Sequence, residues 1–225
     1  MTRKALSLLL ALTLVICSLP GWAAGMAVSV AVGGSSISVD DDVVTSATNV
    51  GSTLYLLYQS GAVATRPVDK NEPTVLGEVL NTQYYSEVPQ VEDGQVCMDR
   101  LFVWNGRVCG MCTPSGEVWT LLDDAGAYAP VKVEGLTLDT SGLIFQEEGQ
   151  EYYSTVEVSS FFCEGDWLYY TGMVYSGTPH SVAGRMSLTT GEKQDFACEN
   201  LVSLTPVGDG TLMALVYDMS ALYSA

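Results

Sequence analysis

Residues 95–112 read QVCMDRLFVWNGRVCGMC, and this stretch restricts the fold more than any other in the chain. Asn105-Gly106 lies between two runs of β-branched and aromatic residues. Both residues tolerate positive φ, which the two central positions of a type I′ hairpin turn require. A two-residue turn there fixes the register. It puts Trp104 opposite Arg107, Val103 opposite Val108, Phe102 opposite Cys109 and, further out, Asp99 opposite Cys112. Side chains alternate across a strand, so Leu101 and Val103 share one face while Phe102 and Trp104 share the other. Both faces are apolar. A sheet built on this hairpin must be covered on both sides.

The rest of the chain repeats the theme. Helical periodicity is nearly absent: the longest candidate, residues 73–80 (PTVLGEVL), is interrupted by Gly77. Elsewhere short strand-like runs alternate with Gly, Asp, Asn and Ser turns. Val28, Val30 and Val32 line one face of a first candidate. Residues 54–58, 101–104, 118–122, 161–162, 167–170 and 212–216 are the others, and residues 114–117 form a second hairpin turn.

Four units recur, near residues 51–69, 105–123, 164–193 and 207–225, each reading turn, strand, short turn, strand. Their starts lie 54, 59 and 43 residues apart. That is within reach of the roughly 40–50 residues of a propeller blade with loop insertions. A blade packs between two neighbours, so its middle strands are apolar on both faces. WLYY at 167–170 fits: Leu168 and Tyr170 would face one neighbour, Trp167 and Tyr169 the other. The last unit reaches Ala225 within what would be its outer strands. The expected fold is therefore all-β: a β-propeller-like array of short antiparallel sheets over residues 28–225, open or truncated. A β-sandwich is the alternative.

Residues 165–170 (GDWLYY) and 184–192 (GRMSLTTGE) resemble the repeat of TolB-like β-propellers, a repeat also found in secreted bacterial β-propeller proteins. The resemblance covers about 30 residues and is weaker around Asn105 and Val207. It implies a binding or scaffold platform and carries over no catalytic residue.

The N-terminus speaks to compartment. Arg3 and Lys4 precede an apolar or small segment from Ala5 to Leu19, then Pro20 and Gly21, then small residues. This is the layout of a secretory signal peptide over residues 1–25, cleaved after Gly25 or Ala27. Its 15 apolar or small residues fall short of the roughly 20 that span a bilayer as a helix. The leader carries two of the nine basic residues and none of the 26 acidic ones, which leaves a formal charge of −19. Such a chain repels phosphate backbones, so nucleic acid is not an expected partner. The expected location is secreted, extracellular or at the cell surface.

Cys97, Cys109, Cys112, Cys163 and Cys198 remain after the leader, an odd count that favours free thiols over a fully paired framework. Cys109-Gly110-Met111-Cys112 matches C-x-x-C, but on a strand its two thiols point to opposite faces about 10 Å apart, at roughly 3.3 Å per residue. A redox or zinc role for it is outweighed by packing. His180 beside Ser181 reads as an exposed loop histidine, with no G-x-S-x-G elbow to make a triad. The acid clusters at Asp40, Asp41 and Asp42, at Asp123 and Asp124, and at Glu147, Glu148 and Glu151 lack calcium-loop spacing and read as solvated turns. Gly208-Asp209-Gly210 reads as a blade turn. The doublets Tyr84-Tyr85 and Tyr152-Tyr153 stand in polar settings and are the candidate ligand surface, since exposed aromatics offer rigid area at low entropy cost. No cofactor and no metal are expected.

The expected function is a binding or scaffold module presenting loops to an extracellular protein, peptide or glycan, rather than an enzyme. The alternatives are the N-terminal part of an extracellular hydrolase, or a structural repeat segment with no ligand of its own.

Overall fold

The computed structural model describes residues 38–39, 42–83, 95–145, 154–175, 179–197, 200–208 and 210–216. The leader, the candidate strand at 28–32 and residues 217–225 lie outside them. Every regular element described is a strand.

Sheet I is the meander β1 (Ser38–Val39), β2 (Asp42–Val50), β3 (Thr53–Tyr58), β4 (Ala62–Pro67) and β5 (Thr74–Glu78), in that order. A two-residue parallel pair, β6 (Leu80–Asn81) with β7 (Cys97–Met98), leads out of it. Sheet II is β8 (Arg100–Trp104), β9 (Arg107–Met111), β10 (Glu117–Leu122) and β11 (Tyr128–Thr137). A short pair, β12 (Ile144–Phe145) with β13 (Ser154–Thr155), precedes sheet III. Sheet III is β14 (Glu157–Glu164), β15 (Trp167–Val174), β16 (His180–Ser187) and β17 (Lys193–Asp195), and sheet IV is β18 (Leu201–Gly208) with β19 (Thr211–Val216). The 73–80 segment supplies β5 and the start of β6. Gly77 is there for contact, since a Cβ would fall 2.1 Å from the Tyr128 ring.

The Asn-Gly turn forms as its chemistry requires. Asn105 and Gly106 hold φ of 51° and 73°. Trp104 pairs with Arg107, Val103 with Val108 and Phe102 with Cys109. The ladder ends at Arg100 opposite Met111, one pair short of Asp99 and Cys112, because the chain bends at Asp99 and its N–H goes to the Met111 carbonyl.

The sheets are stacked in chain order, with an apolar layer between each pair. Leu57 and Val63 of sheet I meet Leu101, Val108 and Leu121 of sheet II. The other face of sheet II sends Phe102, Met111 and Val118 against Leu168, Tyr170 and Met186 of sheet III. Tyr169, on the far face of sheet III with Trp167 beside it, packs on Leu201 and Leu204 of sheet IV. The middle strands are thus apolar on both faces because both faces are covered, and each fully buried large side chain contributes roughly 1.5–3 kcal/mol. The first strands β2, β8, β14 and β18 contact one another in succession. The described residues form an all-β, propeller-like array of small antiparallel sheets, four in series rather than the two of a sandwich.

The expected units at 51–69, 105–123 and 164–193 contain β3–β4, β9–β10 and β15–β16, the last ending on the first residue of β17. Each sheet also has a first strand upstream of the turn at which its unit begins.

Candidate functional site

Two polar features emerge from this packing. The first is a row of side chains on, or just before, the first strands. Thr45, Asp99 and Ser159 each stand six residues before a turn glycine or asparagine, namely Gly51, Asn105 and Gly165. In sheets I and III the chain bulges there: the pairing skips Thr45 between Val44 and Ser46, and Ser159 between Val158 and Ser160. The bulge aims the next serine at the following sheet. Ser46 Oγ accepts the Leu101 N–H at 2.8 Å, and Ser160 Oγ accepts the Leu204 N–H at 3.1 Å. Ser159 donates to the Val202 carbonyl at 2.6 Å.

In sheet II the same position holds a carboxylate. Asp99 is 1% exposed. It accepts the Thr113 hydroxyl at 2.8 Å, the Thr113 N–H at 3.2–3.3 Å and the Thr82 hydroxyl at 3.1 Å. Burial pushes its pKa up, against the opposing pull of Arg100 and these hydrogen bonds. Thr82 Oγ1 also lies 3.7 Å from Cys112 Sγ. Asn81 extends the network by donating to Thr45 Oγ1 at 2.9 Å and to the Tyr58 carbonyl at 2.8 Å. This buried Asp–Thr–Cys cluster carried no signal in its local sequence. The six-residue spacing shared with Thr45 and Ser159 was the signal available.

The second feature is a cleft of about 250 Å³ between sheets I and II, at the end of the array where the Asn105-Gly106 turn lies. Val50, Tyr55, Val108 and Leu122 give it apolar walls, and Arg107, Asp123 and Asp124 a charged rim. Arg107 Nη2 lies 2.6 Å from Asp124 Oδ1, with both side chains well exposed. Asp123 is committed to its own turn, where it accepts the Ala125 and Ala127 N–H groups.

The residues singled out from sequence fare as follows. Tyr84, Tyr85, Tyr152 and Tyr153 lie outside the described residues, as do Glu147, Glu148, Glu151 and Cys198. His180 is exposed, as expected, but opens β16 opposite Val174 rather than sitting in the preceding loop. Ser181 donates to the Met173 sulfur at 3.3 Å. Cys109 is buried in the layer between sheets II and III, its thiol pushed up to about 11 by burial, whereas Cys112 lies against Thr82. Cys97, Cys109, Cys112 and Cys163 are free thiols. Among the described residues no three His, Cys, Asp or Glu side chains come together as a metal site, and no helix is long and apolar enough to cross a membrane.

The turns that carry the TolB-like resemblance have structural duties. Asp166 accepts the Trp104 indole N–H at 3.2 Å, tying sheet II to sheet III. Gly191 of the Thr-Gly-Glu turn accepts the Asp139 N–H through its carbonyl, as Gly116 accepts that of Leu138. The two turns grip the strand connection from both sides.

No protein-family model and no curated protein matches the sequence. Among solved structures, the crystal structure of a nidogen/laminin complex is similar, with a TM-score of 0.37 and 9% identity over 71% of this chain and 49% of that one. The chain spans about half the length of the structure it matches.

Proposed function

We propose that the chain is an exported binding module, secreted or held at the cell surface, that takes a short polar ligand such as a glycan or an extended peptide. The observation that carries this reading is the cleft between sheets I and II. Tyr55 gives it an aromatic wall, Val50, Val108 and Leu122 complete the apolar surface, and Arg107 and Asp124 bring both signs of charge to its rim. A convergence of apolar walls and a few polar groups is what recognition of small ligands uses, and about 250 Å³ suits one sugar ring or one peptide side chain. Covered sheet faces give the cleft rigid walls, so little ordering entropy opposes binding.

The test is glycan-array and peptide-array binding by the full chain without its leader, followed by titration of the best ligand. Tyr55→Ala with Arg107→Ala is expected to weaken binding at least tenfold. The four-tyrosine variant at Tyr84, Tyr85, Tyr152 and Tyr153 asks whether those doublets share the surface. If the doublets alone abolish binding and the cleft pair does not, the ligand surface is elsewhere. A folded chain that retains nothing on either array sinks the binding reading.

A further inference from the structure

The chain has five asparagines, and Asn105 differs from the other four in sequence and in setting. Asn49, Asn71, Asn81 and Asn200 are followed by Val50, Glu72, Thr82 and Leu201, whereas Asn105 is followed by a glycine. Three of the four are also held by their side chains. Asn49 Nδ2 donates to the Gly51 carbonyl at 3.3 Å, and Asn71 Oδ1 accepts from Arg66 at 2.8 Å. Asn81 is buried and donates to the Tyr58 carbonyl at 2.8 Å. Asn200 is exposed, but Leu201 after it is buried in the layer between sheets III and IV, which holds the next peptide in place. Asn105 and Gly106 form the tip of the β8–β9 hairpin, and both are exposed. A Cβ on Gly106 would meet no atom within 4 Å, so nothing beside the turn blocks approach to its nitrogen. The last pair of the ladder, Trp104 with Arg107, leaves the Asn105–Gly106 peptide outside it.

We infer that Asn105 is a modification site, at which the folded chain loses the side-chain amide to water and becomes a mixture of aspartate and isoaspartate. Asparagine is a thermolabile residue, and a following glycine resists the reaction least because it has no Cβ. The step needs no partner but water. The Gly106 backbone nitrogen attacks Asn105 Cγ and gives up its proton. A new C–N bond closes a succinimide ring as the Cγ–Nδ2 bond breaks, and the amide leaves as ammonia with that proton. Water then adds to a ring carbonyl. Addition at Cγ restores the ordinary backbone with an aspartate side chain. Addition at the Asn105 main-chain carbonyl carbon instead routes the chain through Cβ and Cγ, as isoaspartate. Nothing is oxidised or reduced.

The position gives the change a consequence. Gly106 and Arg107 line the cleft between sheets I and II, so the modified turn is part of its wall. Aspartate or isoaspartate adds a carboxylate close to Arg107, whose side chain already pairs with Asp124. Isoaspartate also lengthens a two-residue connection whose geometry sets the Trp104–Arg107 register.

The test incubates the full chain without its leader in mildly alkaline native buffer and maps its peptides by mass over time, beside the same chain in urea. The expected map shows amide loss first at Asn105, split between aspartate and isoaspartate peptides that separate on chromatography. Asn49, Asn71, Asn81 and Asn200 keep their amides over the same period. Gly106→Ala places a Cβ beside the attacking nitrogen and should slow the loss. The inference is overturned if Asn105 keeps its amide in native buffer until the chain in urea has lost it. It is equally overturned if another asparagine converts first, or if Gly106→Ala ages at the wild-type rate. Should Gly106→Ala fail to fold, the wild-type map decides alone.

Discussion

Gly191 shows how much a single position can decide. Its φ is +79°, and a Cβ there would sit 2.0 Å from the Thr137 carbonyl oxygen, so an alanine meets both backbone strain and a backbone clash. Gly191→Ala is expected to destabilise by about 1–3 kcal/mol, seen as a lower urea midpoint at unchanged slope. Gly106, with φ of +73° but open space around it, should suffer only the conformational part and lose less. Asp99 makes a pH-dependent contribution of definite sign. Its folded pKa lies above its ordinary value of 3.8, so in that window the folded state keeps a proton the unfolded chain has released. Stability from this group is full below 3.8 and is lost as the pH rises through the folded value. Asp99→Asn keeps the shape and removes the titration. Urea midpoints over about pH 4 to 8 should fall less steeply for the variant than for wild type; parallel slopes would show that Asp99 is not the source. The local sequence marks Gly191 only as part of a turn signature and Asp99 only as an outer position of the hairpin, because a carbonyl 2.0 Å away or a threonine 17 positions upstream is invisible in a local window.

At the scale of elements, the joins between sheets are both apolar and directional. The apolar layers hold faces together, while Ser46 and Ser160 fix how one first strand sits against the next. Ser160→Ala leaves the Leu204 N–H without its acceptor in a buried setting and should cost about 1–3 kcal/mol. Ser46→Ala should do the same to Leu101. Because the two joins share no partners, the double variant is expected to show the sum of the single effects by chemical denaturation. A strongly non-additive result would mean that the two joins are coupled through the stack. The strands legible in the sequence include β3, β8–β10, β15 and β19, and runs such as LYLLY, LFVW and WLYY are apolar on both faces. The first strand β2 reads DVVTSATNV and the outer strand β11 reads YAPVKVEGLT. Both lack that pattern: β2 is half-buried along its whole length, and β11 is an edge strand of sheet II.

At the scale of the whole molecule, sheet IV carries an exposed apolar face among the described residues. In sheet IV, Val207, Met213 and Leu215 are 50–59% exposed, on the face opposite the one that packs on Tyr169. Every earlier sheet buries the equivalent face against its successor. Replacing Met213 and Leu215 with Lys should leave the unfolding transition nearly unchanged while reducing concentration-dependent association in light scattering. A collapse of stability would instead show that this face is covered in solution.

The sequence by itself determined the all-β class, the Asn105-Gly106 register and the two-faced burial of the middle strands. Turn chemistry and side-chain alternation act over a few residues and are written there directly. Only the tertiary structure decided that Asp99 meets Thr82 and Thr113, that Cys112 lies against Thr82, and that Tyr55 and Arg107 edge one cleft. Those contacts join segments from different sheets. Their partners are selected by how the sheets stack, and no local pattern encodes that choice.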